Sequence, residues 1–174
     1  GAGLCNSVGN AAFEMLTAEK FAAWECSGGV AKGKVLANFG PYVERILFNF
    51  TDPNKTADTG ERSHVDFPHP FFSDRRVRQA FNLAIDRDTI AEQLYGPTGR
   101  PIAQLIVSPT IYKSDKITYE FNLEKAAALL DEAGWQDSNG NGIRDKDGVE
   151  MKVVFQTSVN PVRQKTQEII KQAL

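Results

Sequence analysis

Between Phe71 and Tyr95 the chain reads FFSDRRVRQAFNLAIDRDTIAEQLY, and no other stretch restricts the fold as strongly. Val77, Ala80, Phe81 and Ala84 recur at i, i+3, i+4 and i+7, the spacing that lines apolar side chains along one face of an α-helix. Ser73 stands where an N-cap belongs, with Asp74 in the positive first turn. Asp86 predicts the cap of a second, shorter helix in which Ile90 and Leu94 face inward, and Gly96-Pro97 ends the run. Arg75, Arg76, Arg78 and Arg87 lie off the stripe, as they do on a core helix with a solvated basic face.

Further along, Asn122 predicts the cap of a helix over Leu123 to Ala133, with Gly134 at the position just past its end and Trp135 folding back onto the structure. Leu123, Ala126, Ala127, Leu130 and Ala133 form its expected buried face. Asn160-Pro161 opens the last helix, whose inner face is Val162, Ile169 and Ile170. Strands are expected at Lys34 to Phe39, Arg45 to Phe50, and Glu150 to Ser158 around Val153-Val154-Phe155. Ser7 to Trp24 reads as a small-residue helix with Ala11, Ala12, Met15 and Leu16 inward, leading to a strand-like FAAW. Strand and helix in alternation, without internal repeat or low-complexity tract, indicate one α/β domain over residues 1–174.

That length buries a single core. Apolar content of 41% and charged content of 24% are those of a globular protein, and a net charge of -2 argues against a nucleic-acid partner. No apolar run approaches the roughly 20 residues that span a bilayer. The start, GAGLCNSVG, has no Met or signal-peptide pattern, and QEIIKQAL stops inside a helix, so the expectation is an internal piece of a longer protein. Cys5 and Cys26 either bridge or remain thiols; two cysteines are not a disulfide framework.

Three loops hold the remaining chemistry. Thr51 to Pro70 is polar and rich in Pro, Asp and His, too long for an ordinary connection, and reads as an ordered surface excursion. Its His64 and His69 are either metal ligands or solvated loop residues, and no cysteine or carboxylate pair completes a site. Gly96 to Thr118 mixes Pro97, Pro101 and Pro109 with apolar Leu105-Ile106-Val107, as in a loop packed over a core or lining a cleft. Tyr112 is its candidate ligand-binding residue, offering an aromatic face and a hydroxyl, with core or interface packing as the other reading. In DSNGNGIRDKDG, residues 137–148, Asp137, Asn139 and Asn141 alternate, Gly142 takes the sharp turn, Ile143 offers a carbonyl and Asp145 falls ninth, as in a calcium loop. The twelfth position, where a bidentate Glu belongs, is Gly148, so calcium binding stands beside a turn built from side-chain-to-backbone bonds.

No GxSxG, HExxH, phosphate-binding loop or Cys/His constellation is present, and the carboxylate pairs Asp131/Glu132 and Asp145/Asp147 sit where solvated charges sit. An enzyme is not expected, and no cofactor other than calcium is suggested.

SDRRVRQAFNLAIDRDTIAEQLYG resembles the D-x-x-V-R-x-A-hydrophobic-x-x-A-I-(D/N)-R segment of extracellular solute-binding proteins of the dipeptide/oligopeptide class (family 5), which serve ABC importers. VERILFNFTDPN resembles the strand before it, FNLEKAAALLDEAGWQDSNGNGIRDKDG the helix and turn after it, and VVFQTSVNPVRQKTQEIIKQAL the strand and helix beyond. The four pieces keep the family's order and run from near Lys32 to the end. Before them the pattern departs: the family places another helix ahead of its GKGKV stretch, whereas here ECSGGVA runs almost directly into KGKVLANFG.

The resemblance implies an α/β fold, part of one lobe of a periplasmic-binding-protein type II fold, its mixed sheet flanked by helices. It also implies a substrate-binding component of an ABC transporter, periplasmic or extracellular and membrane-associated through its parent. Implied partners are a peptide or other small solute, a membrane permease and the remaining lobe. In the family the segment around Tyr112 helps form the inner cleft wall, and the acidic ligand anchor lies beyond the residues matched, so no Asp or Glu here corresponds to it. A calcium-stabilised structural or protein-interaction module is the alternative reading.

Overall fold

The computed structural model describes residues 39–174. The expected Ser7–Trp24 helix, positions 34–38 of the first strand, and Cys5 and Cys26 lie outside the described residues. Four α-helices are formed among them: α1 (Arg75–Leu83), α2 (Arg87–Ile90), α3 (Leu123–Glu132) and α4 (Pro161–Ala173). Strands β1 (Asp145–Lys146) and β2 (Val149–Glu150) pair antiparallel, Asp145 opposite Glu150 and Lys146 opposite Val149. The chain gathers into two compact units. Of the described residues, one unit holds 39–43, Asp86–Tyr119 and Thr157–Lys171; the other holds Glu44–Ile85, Glu120–Gln156 and Gln172–Leu174.

The second unit is built on α1. Val77, Ala80, Phe81 and Ala84 are all buried, together with Leu83. The cap is Asp74, not Ser73: the Asp74 carboxylate accepts from Arg76 N at 2.8 Å, while Ser73 Oγ donates to the carbonyl of His69 at 2.7 Å. Either residue type can cap, and the competing bond to His69 decides between them. Arg76 also grips the Asp74 carboxylate, and this hydrogen bond holds the Asp74 carboxyl below its ordinary pKa. Small residues on the other side of α1, Ala80 and Ala84, let α3 approach through Ala126, Leu129 and Leu130.

Asn122 caps α3 as expected, accepting from Lys125 N at 2.9 Å. Leu123 differs from expectation: it is 45% exposed, and Leu129 packs against the core instead. At the far end Gly134 adopts φ +85°, Gly134 N donates to Asp131 O and Trp135 N donates to Leu130 O, the paired reverse turn that closes a helix. Trp135 thereby turns inward to 3% exposure, its ring edge-on to Phe71 at 5.6 Å between centroids. Phe71, Phe72, Val77, Phe81, Ala133 and Trp135 form the core, with Phe48, Leu130 and Met151 packed against it. Three cations converge on the carbonyl end of α3: Arg76 donates to Glu132 O, Lys146 to Ala133 O and Arg144 to Trp135 O. Positive charge is favourable there because the helix dipole ends negative.

The 51–70 excursion is ordered, with antiparallel bridges Thr51–Pro68 and Thr56–Arg62. It ends on His69, which is buried rather than solvated: its Nδ1 accepts from Phe71 N and Phe72 N at 3.3 and 3.2 Å, and its ring packs on both phenylalanines. Burial lowers the His69 pKa, with Asp52 opposing.

The expected strands Arg45–Phe50 and Glu150–Ser158 behave differently from the reading of the sequence. Ile46 and Phe48 alternate inward with Arg45, Leu47 and Asn49 outward, and Val154 is 84% exposed between Val153 and Phe155 at 40% and 37%. The period of two is that of a strand. Among the described residues, however, neither stretch belongs to a sheet ladder beyond β2 at Val149–Glu150.

In the first unit Asp86 caps α2, accepting from Thr89 N at 3.0 Å and from Thr89 Oγ1 at 2.6 Å. The helix then widens into a π-turn over Ala91–Tyr95, and Gly96 at φ +53° ends it. Ile90 and Leu94 are partly buried there. Asn160 caps α4 by accepting from Val162 N and Arg163 N; Ile170 is buried, and Val162 and Ile169 partly so.

Two outcomes follow. Trp135→Ala empties the aromatic core and is expected to cost about 3–5 kcal/mol in denaturant unfolding. His69 must be neutral to accept its two bonds, so its contribution is complete above the ordinary value of 6.5 and declines as pH falls from there toward the lowered folded pKa. The stability difference between wild type and His69→Leu, read by urea unfolding, is therefore larger at about pH 7.5 than at about pH 5.

Candidate functional site

The segment from Gly96 to Tyr119 contains little core, and polar bonds hold it. Thr98 Oγ1 donates to Tyr95 O at 2.7 Å, and Gly99 sits so close to Tyr95 that an added Cβ would lie 2.3 Å from the Tyr95 Cβ. At the other end Tyr119 donates its hydroxyl to Asp88 at 2.9 Å, with the Arg87 guanidinium 5.2 Å from its ring centroid. Burial raises the Tyr119 pKa and the bond to Asp88 adds to the shift; burial lowers that of Arg87. A cation on a partly desolvated ring face is attracted by its quadrupole.

Between these ends Gln104 reaches across to the backbone of Ser114. Its Nε2 donates to Ser114 O at 2.8 Å and its Oε1 accepts from Ser114 N at 3.0 Å. The pair reproduces one rung of a β-ladder with a side chain in place of a strand. Within the loop so closed, Val107 is buried, whereas Leu105, Ile106, Ile111 and Tyr112 are 60%, 55%, 82% and 69% exposed. Tyr112 ends a single turn, Thr110–Tyr112, in which its N–H donates to Pro109 O. The candidate tyrosine thus stands on an exposed, tied-off apolar loop and is not a core residue. Gln104 was not apparent in the sequence, because a glutamine bonding ten residues away leaves no periodic signal.

The 137–148 loop brings its predicted residues together, and most of their oxygens already hold hydrogen bonds. The Asp137 carboxylate accepts from Gly140 N, Asn141 N and Gly142 N at 2.8, 3.1 and 2.9 Å. Asn139 Oδ1 accepts from Asn141 N, and Asn141 Oδ1 accepts from Ile143 N. Asp145 lies on β1 and accepts from Ser138 N and Oγ. This is the bonding of a side-chain-supported turn. His64 lies 3.3 Å from Asp66 and 4.0 Å from Glu61, apart from the buried role of His69. Among the described residues no group of three or more His, Cys, Asp and Glu could hold a metal ion. No described helix is long and apolar enough to cross a membrane.

Comparison with known proteins defines the class. The model of bacterial extracellular solute-binding proteins, family 5 Middle, matches residues 31–174, and the chain belongs to that family. It is similar to the oligopeptide-binding protein AppA of Bacillus subtilis, 36% identical over 108 residues that make up 59% of this chain and 20% of AppA. It is also similar to the oligopeptide-binding protein OppA of Lactococcus lactis subsp. lactis, 33% identical over 140 residues, 76% of this chain and 22% of OppA. The solved structure of AppA in complex with a nonapeptide matches with a TM-score of 0.51 at 30% identity, over 60% of this chain and 22% of that one. The chain spans about a fifth of the length of these relatives. The α/β class and the assignment to a piece of the binding-protein fold agree with this structural match.

Asp137→Ala leaves three backbone N–H groups to find water and is expected to lower stability by about 1–3 kcal/mol, read as a lower Tm. Because the loop is held by its own bonds, a chelator is expected to leave the wild-type Tm unchanged.

Proposed function

We propose that this chain is a segment of the substrate-binding component of an ABC importer, which captures peptides outside the cytoplasmic membrane and delivers them to a permease. The observation that carries this is the family match across residues 31–174, together with relatives that are oligopeptide-binding proteins, one solved with a nonapeptide. The exposed Leu105, Ile106, Ile111 and Tyr112 support it, since an apolar surface with one hydroxyl suits a peptide side chain and backbone. The full-length protein is held at the membrane surface, where the permease receives the loaded form.

On this reading the segment alone binds peptide weakly, because one wall of a cleft does not exclude water from both sides of a peptide. The remaining lobe supplies the opposite wall, and the acidic anchor for the peptide terminus lies beyond the residues of this segment. Closure of the two lobes then encloses the ligand.

The test is a thermal unfolding scan of the full-length protein and of this segment, each with and without a pool of di- to pentapeptides. At about a hundred times Kd the full-length protein is expected to gain about 2.7 kcal/mol, while the segment does not move. Tyr112→Ala in the full-length protein is expected to reduce that gain. A full-length protein indifferent to every peptide sinks the proposal.

A further inference from the structure

The loop that carries Tyr112 has an unusual source of rigidity. Of residues 105–113 only Val107 is buried, so hydrophobic packing fixes one point of the loop. The bonds Tyr112 N to Pro109 O and Lys113 N to Thr110 O are local and shape one turn without locating it. What joins the two ends is the Gln104 side chain, which satisfies both backbone groups of Ser114 at 2.8 and 3.0 Å. An amide is suited to this task, because it offers one donor and one acceptor in a plane, as a neighbouring strand would. Closing the loop costs chain entropy that the apolar residues facing water do not return.

We infer that Gln104 is a positioning residue for ligand: by clamping Ser114 it presets the 105–113 loop so that Leu105, Ile106, Ile111 and Tyr112 receive an apolar side chain of a bound peptide. The inference rests on the proposed peptide-binding reading and adds a preference for apolar over acidic peptide side chains. Gln104 touches no ligand itself. It acts by sparing the loop the ordering cost that binding would otherwise incur, which is preorganisation.

The experiment is titration calorimetry on the full-length protein with two peptides identical except for a central Leu or a central Glu. Wild type, Gln104→Met and Tyr112→Ala are compared, methionine matching glutamine in length without its polar bonds. Gln104→Met is expected to weaken the Leu peptide about tenfold and the Glu peptide less than about twofold, with Tm nearly unchanged. Equal weakening of both peptides, or no weakening of either, overturns the clamp. If Tyr112→Ala weakens the Leu peptide and Gln104→Met does not, the clamp alone fails. If both variants leave the Leu peptide unaffected, the loop is no contact surface and the underlying reading of Tyr112 fails with it. Amide exchange at Ser114 gives a second readout independent of ligand: slowed in wild type and fast in Gln104→Met if the clamp holds, unchanged between them if it does not.

Discussion

The left-handed turn at Gly134 is the constraint from which the packing of the second unit follows. At φ +85° a side chain is strained, and an added Cβ would also meet the Lys146 stem at 3.3 Å. Because glycine accepts that geometry, Trp135 swings from the end of α3 into the ring cluster of Phe71, Phe72 and Phe81. At the same turn the carbonyls of Glu132, Ala133 and Trp135, at the end of α3 and just beyond it, accept from Arg76 of α1, Lys146 of β1 and Arg144 just before β1. Helix end, aromatic core and hairpin are thus fixed together, and Asn122 N bonding to Leu83 O ties the start of α3 to the end of α1.

The loop of the first unit is ordered by a different physics. Around Tyr112 the chain has almost no buried apolar area, and its geometry is set by pairwise polar bonds: Thr98 to Tyr95, Gln104 to Ser114, Tyr119 to Asp88. Each such bond is worth only about 0.5–1.5 kcal/mol net, so the loop is defined in shape without contributing much to global stability. That division suits a binding surface: apolar side chains remain available to a ligand because they are not needed for the core.

The extended stretches Arg45–Phe50 and Met151–Phe155 show the opposite limit. Their alternation is legible, and Phe48 and Met151 do pack on the core. A strand, however, is completed by a neighbour's N–H and C=O groups, and a local sequence cannot supply those. A helix satisfies its own backbone, which is why α1 and α3 emerge at the positions the sequence indicates, whereas among the described residues these two stretches form no ladder beyond β2.

By itself the sequence determined the apolar stripe of α1, the caps at Asp86, Asn122 and Asn160 and the reverse turn at Gly134. These are set by interactions within a few residues, and the family resemblance extends them across most of the chain. Tertiary structure alone decided that Asp74 and not Ser73 caps α1, because His69 O competes for the Ser73 hydroxyl. It decided that His69 is a buried acceptor, because Phe71 and Phe72 fold over it. It decided too that Tyr112 faces solvent on a loop closed by Gln104, since a bond between residues ten positions apart depends on where the chain returns.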